Sequence, residues 1–195
     1  MRRLVTITLT VLLCSTLAAT VGLGQTSTTT TGTAQQLGPF TYYNFHSSDG
    51  TSVLGTAQQL GPFTYYNFNR TGGEMTSGTS QELGPFTHYN FQTNGTTTNG
   101  TSQKLGPFTY YEIHSSDGTS TQGSSQELGS FTFFDFNSTD GSSTSGSSHQ
   151  LGRTTYWSLS EAVGPGLGSD GRGQAPPLQL GSWESLYDTG YGADD

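Results

Sequence analysis

The sequence predicts an all-β protein: a tandem array of six ~23-residue β-hairpin repeats, stacked as a β-solenoid or an extended meander, with a flexible Gly/Pro-rich C-terminal tail. Three observations carry this expectation. A Leu-Gly pair recurs at Leu37, Leu60, Leu83, Leu105, Leu128 and Leu151, at intervals of 23, 23, 22, 23 and 23 residues. Each pair is followed by an aromatic run such as Phe40-Thr41-Tyr42-Tyr43-Asn44-Phe45. The runs are separated by stretches rich in Gly, Ser, Thr, Asn and Asp, which is the punctuation of strands and turns.

The N-terminal residues 1–24 read as a signal peptide. Arg2 and Arg3 provide the positive start, Leu4 to Ala19 the apolar stretch, and small residues fit cleavage after Ala19 or after Gly24. The stretch is too short and too rich in Thr for a membrane span, so no stable span is expected after cleavage. Cys14 is the only cysteine and falls within this segment, which removes disulfides from the expected mature chain. Residues 25–31 read as a Thr-rich linker, 32–160 as the six repeats, 161–177 as a Gly/Pro-rich linker, and 178–195 as a degenerate repeat with an acidic tail.

Within one repeat, Gly38-Pro39 separates Gln35-Gln36-Leu37 from the aromatic run. Gly at the first central position of a two-residue loop is the signature of a type II′ hairpin, and Pro suits the second, where φ is negative. That turn fixes the register: Leu37 opposite Phe40, Gln36 opposite Thr41, Gln35 opposite Tyr42, and Ala34 opposite Tyr43. Leu37, Phe40 and Tyr42 then share one face, and Ala34, Tyr43 and Phe45 the other. The Tyr43 column reads Tyr, Tyr, Tyr, Tyr, Phe, Trp and the Phe45 column Phe, Phe, Phe, Ile, Phe, Leu. Exchange among large apolar types is the mark of packing. A single hairpin is marginal in water, so the units must bury their apolar faces against one another, in a solenoid, a long meander or a closed sheet.

Charge narrows the function classes. From Gln25 onward four basic residues remain (Arg70, Lys104, Arg153, Arg172) against 14 acidic ones, a net charge of −10. Nucleic acid is therefore not an expected partner, because its phosphates require clustered Lys and Arg. Catalysis needs a unique convergence of nucleophile, base and orienting group, which near-identical repeats supply poorly. His46 and His114 share a column with Asn69, Gln92, Asn137 and Ser160, and no histidine spacing suits a metal. Gly166-Leu167-Gly168-Ser169-Asp170-Gly171 has dinucleotide-loop spacing but sits in a Gly/Pro segment without flanking strand and helix. No catalytic residue, cofactor or metal is assigned, and the chain is expected not to be an enzyme. Four Asn-x-Thr sequons, at Asn69, Asn94, Asn99 and Asn137, lie in polar connections.

What the repeats present is aromatic. Tyr42, Tyr43, Tyr65, Tyr66, Tyr89, Tyr110, Tyr111, Tyr156 and Trp157 are candidate ligand-stacking residues, since aromatic faces beside Asn, Gln and Thr suit sugar rings. The segment Gly61-Pro62-Phe63-Thr64-Tyr65-Tyr66-Asn67-Phe68 resembles the aromatic strand of the cell-wall-binding repeats of bacterial choline- and glucan-binding proteins. Trp is absent from the first five copies and the period is longer than in those repeats. The likeness implies recognition of an extracellular polysaccharide or other cell-surface component. The sequence thus points to a secreted or cell-surface protein with a structural or adhesive role, with carbohydrate binding through an aromatic ladder as the alternative. It leaves the oligomeric state open.

Overall fold

The structure is a computed structural model and describes residues 27–163. The signal peptide read at 1–24 and the tail beyond residue 163 lie outside the described residues. Six hairpins follow one another: β1 (Ser27–Leu37) with β2 (Phe40–Ser47), β3 (Ser52–Leu60) with β4 (Phe63–Arg70), β5 (Met75–Leu83) with β6 (Phe86–Thr93), β7 (Thr96–Leu105) with β8 (Phe108–Ser115), β9 (Ser120–Leu128) with β10 (Phe131–Ser138), and β11 (Ser142–Leu151) with β12 (Thr154–Val163). Every strand is antiparallel to its neighbours, and β1 pairs with β12, so the twelve strands form one closed up-and-down barrel.

Closure corrects the solenoid expectation. The units do not stack along an axis; they stand side by side as staves, and the meander curls until its two edges meet. This removes every unpaired strand edge, which an open array would expose at both ends.

The predicted hairpin register is the observed one. Leu37 pairs with Phe40, Gln36 with Thr41, Gln35 with Tyr42 and Ala34 with Tyr43. Gly38 has φ +61° and Pro39 has no positive φ, as a type II′ turn requires. At the opposite end the connections are longer. Ser47 to Thr51 is closed by Gly50 N–H to Ser47 O at 3.0 Å and Ser47 N–H to Thr51 O at 2.8 Å. The short third repeat replaces this loop with the two-residue turn Asn94-Gly95, both at positive φ. Its missing residue is therefore absorbed in a type I′ turn and never reaches the strands.

The barrel's interior follows from one pattern. Tyr43 pairs with Ala34 on one side and with Gly55 of the next repeat on the other. Phe45 lies between Gly32 and Val53. Each boundary between repeats thus advances the register by two residues, and the steps accumulate around the ring. This stagger tilts barrel strands by about 35–45° from the axis. Tyr43, Phe45 and their equivalents fill the interior, with Ala, Ser and Gly as the small counterparts. The seam obeys the same rule: Trp157 pairs with Gly32, as Tyr43 does with Gly55.

Two segment boundaries move. Ser27 to Thr31, read as linker, form the first half of β1, and Glu161 to Val163 complete β12. The Thr-rich stretch lacks apolar alternation, but pairing with both β2 and β12 satisfies its backbone, and Thr30 Oγ1 lies 2.6 Å from Ser47 Oγ inside the wall.

Gly55 shows how tight this packing is. A Cβ there would overlap the ring of Phe68, which lies against the bare backbone. Gly55→Ala should lower stability by about 1–3 kcal/mol. Thr56→Ala, on the outer face of the same strand, should change it by less than about 0.5 kcal/mol. Urea unfolding of both variants measures the difference, and equal midpoints would contradict this account of the core.

Candidate binding surface

Strand alternation splits each aromatic pair between two environments. Tyr43, Tyr66, Tyr89, Tyr111 and Trp157 point inward and are buried. They present no face to an external ligand, so as stacking candidates they are displaced by their role in the core. Hydroxyls confirm the inward assignment: Tyr66 Oη lies 3.1 Å from Ser80 Oγ, Tyr89 Oη 3.0 Å from Ser102 Oγ, and Tyr111 Oη 3.3 Å from Ser125 Oγ. Each bond links one repeat to the next. At the seam the corresponding small residue is Ala34, which offers no side-chain oxygen. The buried Trp157 Nε1 is without an acceptor among the described residues.

The other candidates, Tyr42, Tyr65, Tyr110 and Tyr156, point outward with about half of their surface exposed (47–50%). They do not stand alone. Leu37 and Phe40 lie on the same outer face at the hairpin tip; the Leu recurs at all six tips and the Phe at the first five, with Thr154 at the sixth. Phe40 and Tyr42 have ring centroids 6.5 Å apart, as do Phe108 and Tyr110. Phe131 also stacks on His149 at 4.1 Å. The residues that sequence reasoning passed over are therefore the tip leucines and phenylalanines. The signal was present in their shared face with Tyr42.

All six tips lie at one end of the barrel, which is consequently ringed by outward apolar side chains. Polar positions such as Asn44 and His46 follow along the outer face, with Leu54 and Met75 as isolated apolar exceptions. Between the aromatic-bearing strands the small residues of β9 leave a groove of about 560 Å³. Tyr110 stands on one side of it and Asp135 and Asn137 on the other, with Gln122 and Ser124 between them.

The opposite end is acidic. Asp49, Asp117 and Asp140 sit in its turns, each accepting a backbone N–H two residues on, at 2.8–2.9 Å. Those bonds hold the Asp49 and Asp117 carboxyls below their ordinary range. Inside this end, Arg70 and Glu161 replace the hydroxyls found at Ser47 and Ser138. Arg70 bonds Glu74 at 3.5 Å. Burial, reinforced by the Asp140 carboxylate and opposed by Arg70, pushes Glu161 up to about 7.

That shift has a definite sign. The folded barrel binds the Glu161 proton more tightly than the unfolded chain, whose carboxyl titrates near 4.5. Its contribution therefore favours folding most at low pH and is lost as pH rises from 4.5 through about 7. Glu161→Gln should match the wild type in melting temperature near about pH 4.5 and exceed it increasingly up to about pH 8. Thermal melts across that range measure the offset; an offset independent of pH would refute it. Comparison with protein-family models, with curated proteins and with solved structures finds no match for this chain, so its surface chemistry alone carries the functional argument.

Proposed function

We propose that this chain is a non-enzymatic secreted or cell-surface protein with an adhesive role, acting through the outer face of its barrel. The observation that carries the reading is the recurrence of exposed apolar tips around the barrel, a Leu in all six units and a Phe of the Phe40 column in the first five. Repeated presentation of a weak apolar and aromatic contact raises overall binding by multivalency without demanding a unique site. The aromatic core lining the interior supports the exterior as the contact surface, since contiguous exposed apolar patches mark interaction surfaces.

A second reading is favoured by the groove beside Tyr110. An exposed phenol ring with Gln122, Asp135 and Asn137 within one furrow offers a stacking platform and hydrogen-bonding groups for a sugar. In this reading the ligand is an extracellular polysaccharide, held by the outward tyrosines.

The two readings separate experimentally. The chain from Gln25 is passed over immobilised polysaccharides and over an alkyl-coated surface. Replacing Leu60, Phe63, Leu83 and Phe86 by Ser, all outward positions, should weaken retention on the alkyl surface by about tenfold or more without changing the far-UV circular dichroism. Tyr110→Ala should reduce polysaccharide retention by up to about tenfold if sugars are the ligand. A folded wild-type chain retained on neither surface would sink both readings.

A further inference from the structure

The tip end of the barrel is more specific than an apolar patch. We propose that it is a docking rim for a lipid interface, on which the barrel stands end-on, with the tip Leu and Phe side chains in the outer acyl region and the tyrosines of the Tyr42 column among the headgroups. This inference rests on the adhesive reading and names the surface adhered to: a neutral, zwitterionic bilayer.

Four features of the rim point to a lipid slab. The first is continuity. The seam between β12 and β1 repeats the internal register, so the sixth tip stands beside the first; a tip Leu occurs at all six and a tip Phe at the first five, with Arg153-Thr154 at the sixth. A protein partner covers one sector of a cylinder, whereas a fluid interface covers a full ring at one level. The second is height. Leu37 or Phe40 to Tyr42 spans two positions along a strand, about 7 Å. That matches the depth of about 5–10 Å reached by interfacial elements and falls well short of the band of about 25 Å on spanning barrels. Aromatic residues with one polar end at the upper edge suit the headgroup level.

The third feature is the backbone. Entry into an apolar medium is costly for unbonded N–H and C=O groups. At this rim the carbonyl oxygen of the second turn residue accepts a backbone N–H from the next repeat: Gln59 N–H donates to Pro39 O at 2.9 Å, Glu82 N–H to Pro62 O at 2.9 Å, and Gln36 N–H to Arg153 O across the seam at 3.0 Å. The same bond occurs at all six tips, a closed ring of backbone hydrogen bonds. Proline, at four of those positions, has no N–H to leave unpaired.

The fourth is charge and direction. The carboxylates nearest the rim, such as Glu127, sit on the inward-facing column of the wall, and Glu127 pairs with Lys104 at 2.7 Å. The turn carboxylates Asp49, Asp117 and Asp140 occupy the far end. With a net charge of −10 from Gln25 onward, an anionic membrane would repel the chain and a zwitterionic one would not. β1 begins and β12 ends at the far end, so the rim is the distal face of the barrel.

Co-sedimentation with phosphatidylcholine vesicles tests the proposal. The chain from Gln25 keeps all twelve strands and the whole core. It should pellet with vesicles equally well at low salt and at about 0.5 M NaCl, because the attraction is not ionic. Leu83→Glu with Phe86→Glu should weaken partitioning by at least about tenfold, while Leu54→Glu at the far half should leave it unchanged. A wild-type chain with a β-type circular dichroism spectrum that stays in the supernatant would overturn the inference, whatever the variants do. Partitioning unaffected by the rim variant would also overturn it. So would sedimentation velocity showing oligomers that the rim variant dissolves, which would assign the rim to a second copy. Retention on alkyl or polysaccharide supports without vesicle binding would reject the lipid and leave the adhesive reading standing.

Discussion

The pairing of an inward aromatic ring with a residue of little or no side chain on each neighbouring strand is the constraint on which this barrel depends. Tyr43 between Ala34 and Gly55, and Phe45 against Gly32, set the distance between staves and the two-residue step at every boundary. From that step come the tilt, the closure and the alternation of inner and outer faces. Gly55, in mid-strand, would ordinarily weaken a strand. Here it is the space into which Phe68 fits, and the packing offsets the entropic cost.

Rigidity of the wall and activity of the surface are consequences of the same sequence period. Because side chains alternate, the residues that fill the interior cannot also meet a ligand, and those that meet a ligand are free of packing duty. Leu37, Phe40 and Tyr42 can therefore remain exposed and apolar without disturbing the fold. The hydrogen bonds from Tyr66, Tyr89 and Tyr111 to serines of the following repeat join the staves from within, and the carbonyl ring at the tips joins them from without. At the loop end of the wall Glu161 and Arg70 depart from the neutral hydroxyls of the other repeats, and the raised Glu161 marks the cost of burying charge there.

The hairpin was legible in the sequence down to residue pairs, because a Gly-Pro turn leaves a single register for Leu37 and Phe40. The division of faces was equally legible, and it already separated Tyr42 from Tyr43. Closure was not, since the offset of Tyr43 against Gly55 arises between hairpins, where the loops are long enough to allow several registers. The glycines at 32, 55, 78, 100, 123 and 146 read as repeat punctuation when taken alone; only the three-dimensional partner on the adjoining strand, a Phe ring at four of them and Ile113 or Leu159 at the other two, reveals them as sockets. Thr28 to Thr31 read as linker for a related reason: their place in a strand is dictated by β12, more than a hundred residues away in the chain.

The seam has one more consequence, for how such a gene can change. Near-identical repeats are prone to loss or gain of whole copies when the sequence is copied. Because the joint between the last unit and the first is the same as every internal joint, the ring offers no special end piece to police the count. The interior does so instead. Barrel width grows with strand number, so one unit fewer would crowd the rings of Phe45, Phe68 and Phe91 against one another, and one unit more would open a void that the same rings could not fill. Copy number is thereby written into the volume of an aromatic side chain, and a repeat array that looks free to drift in length is held at six.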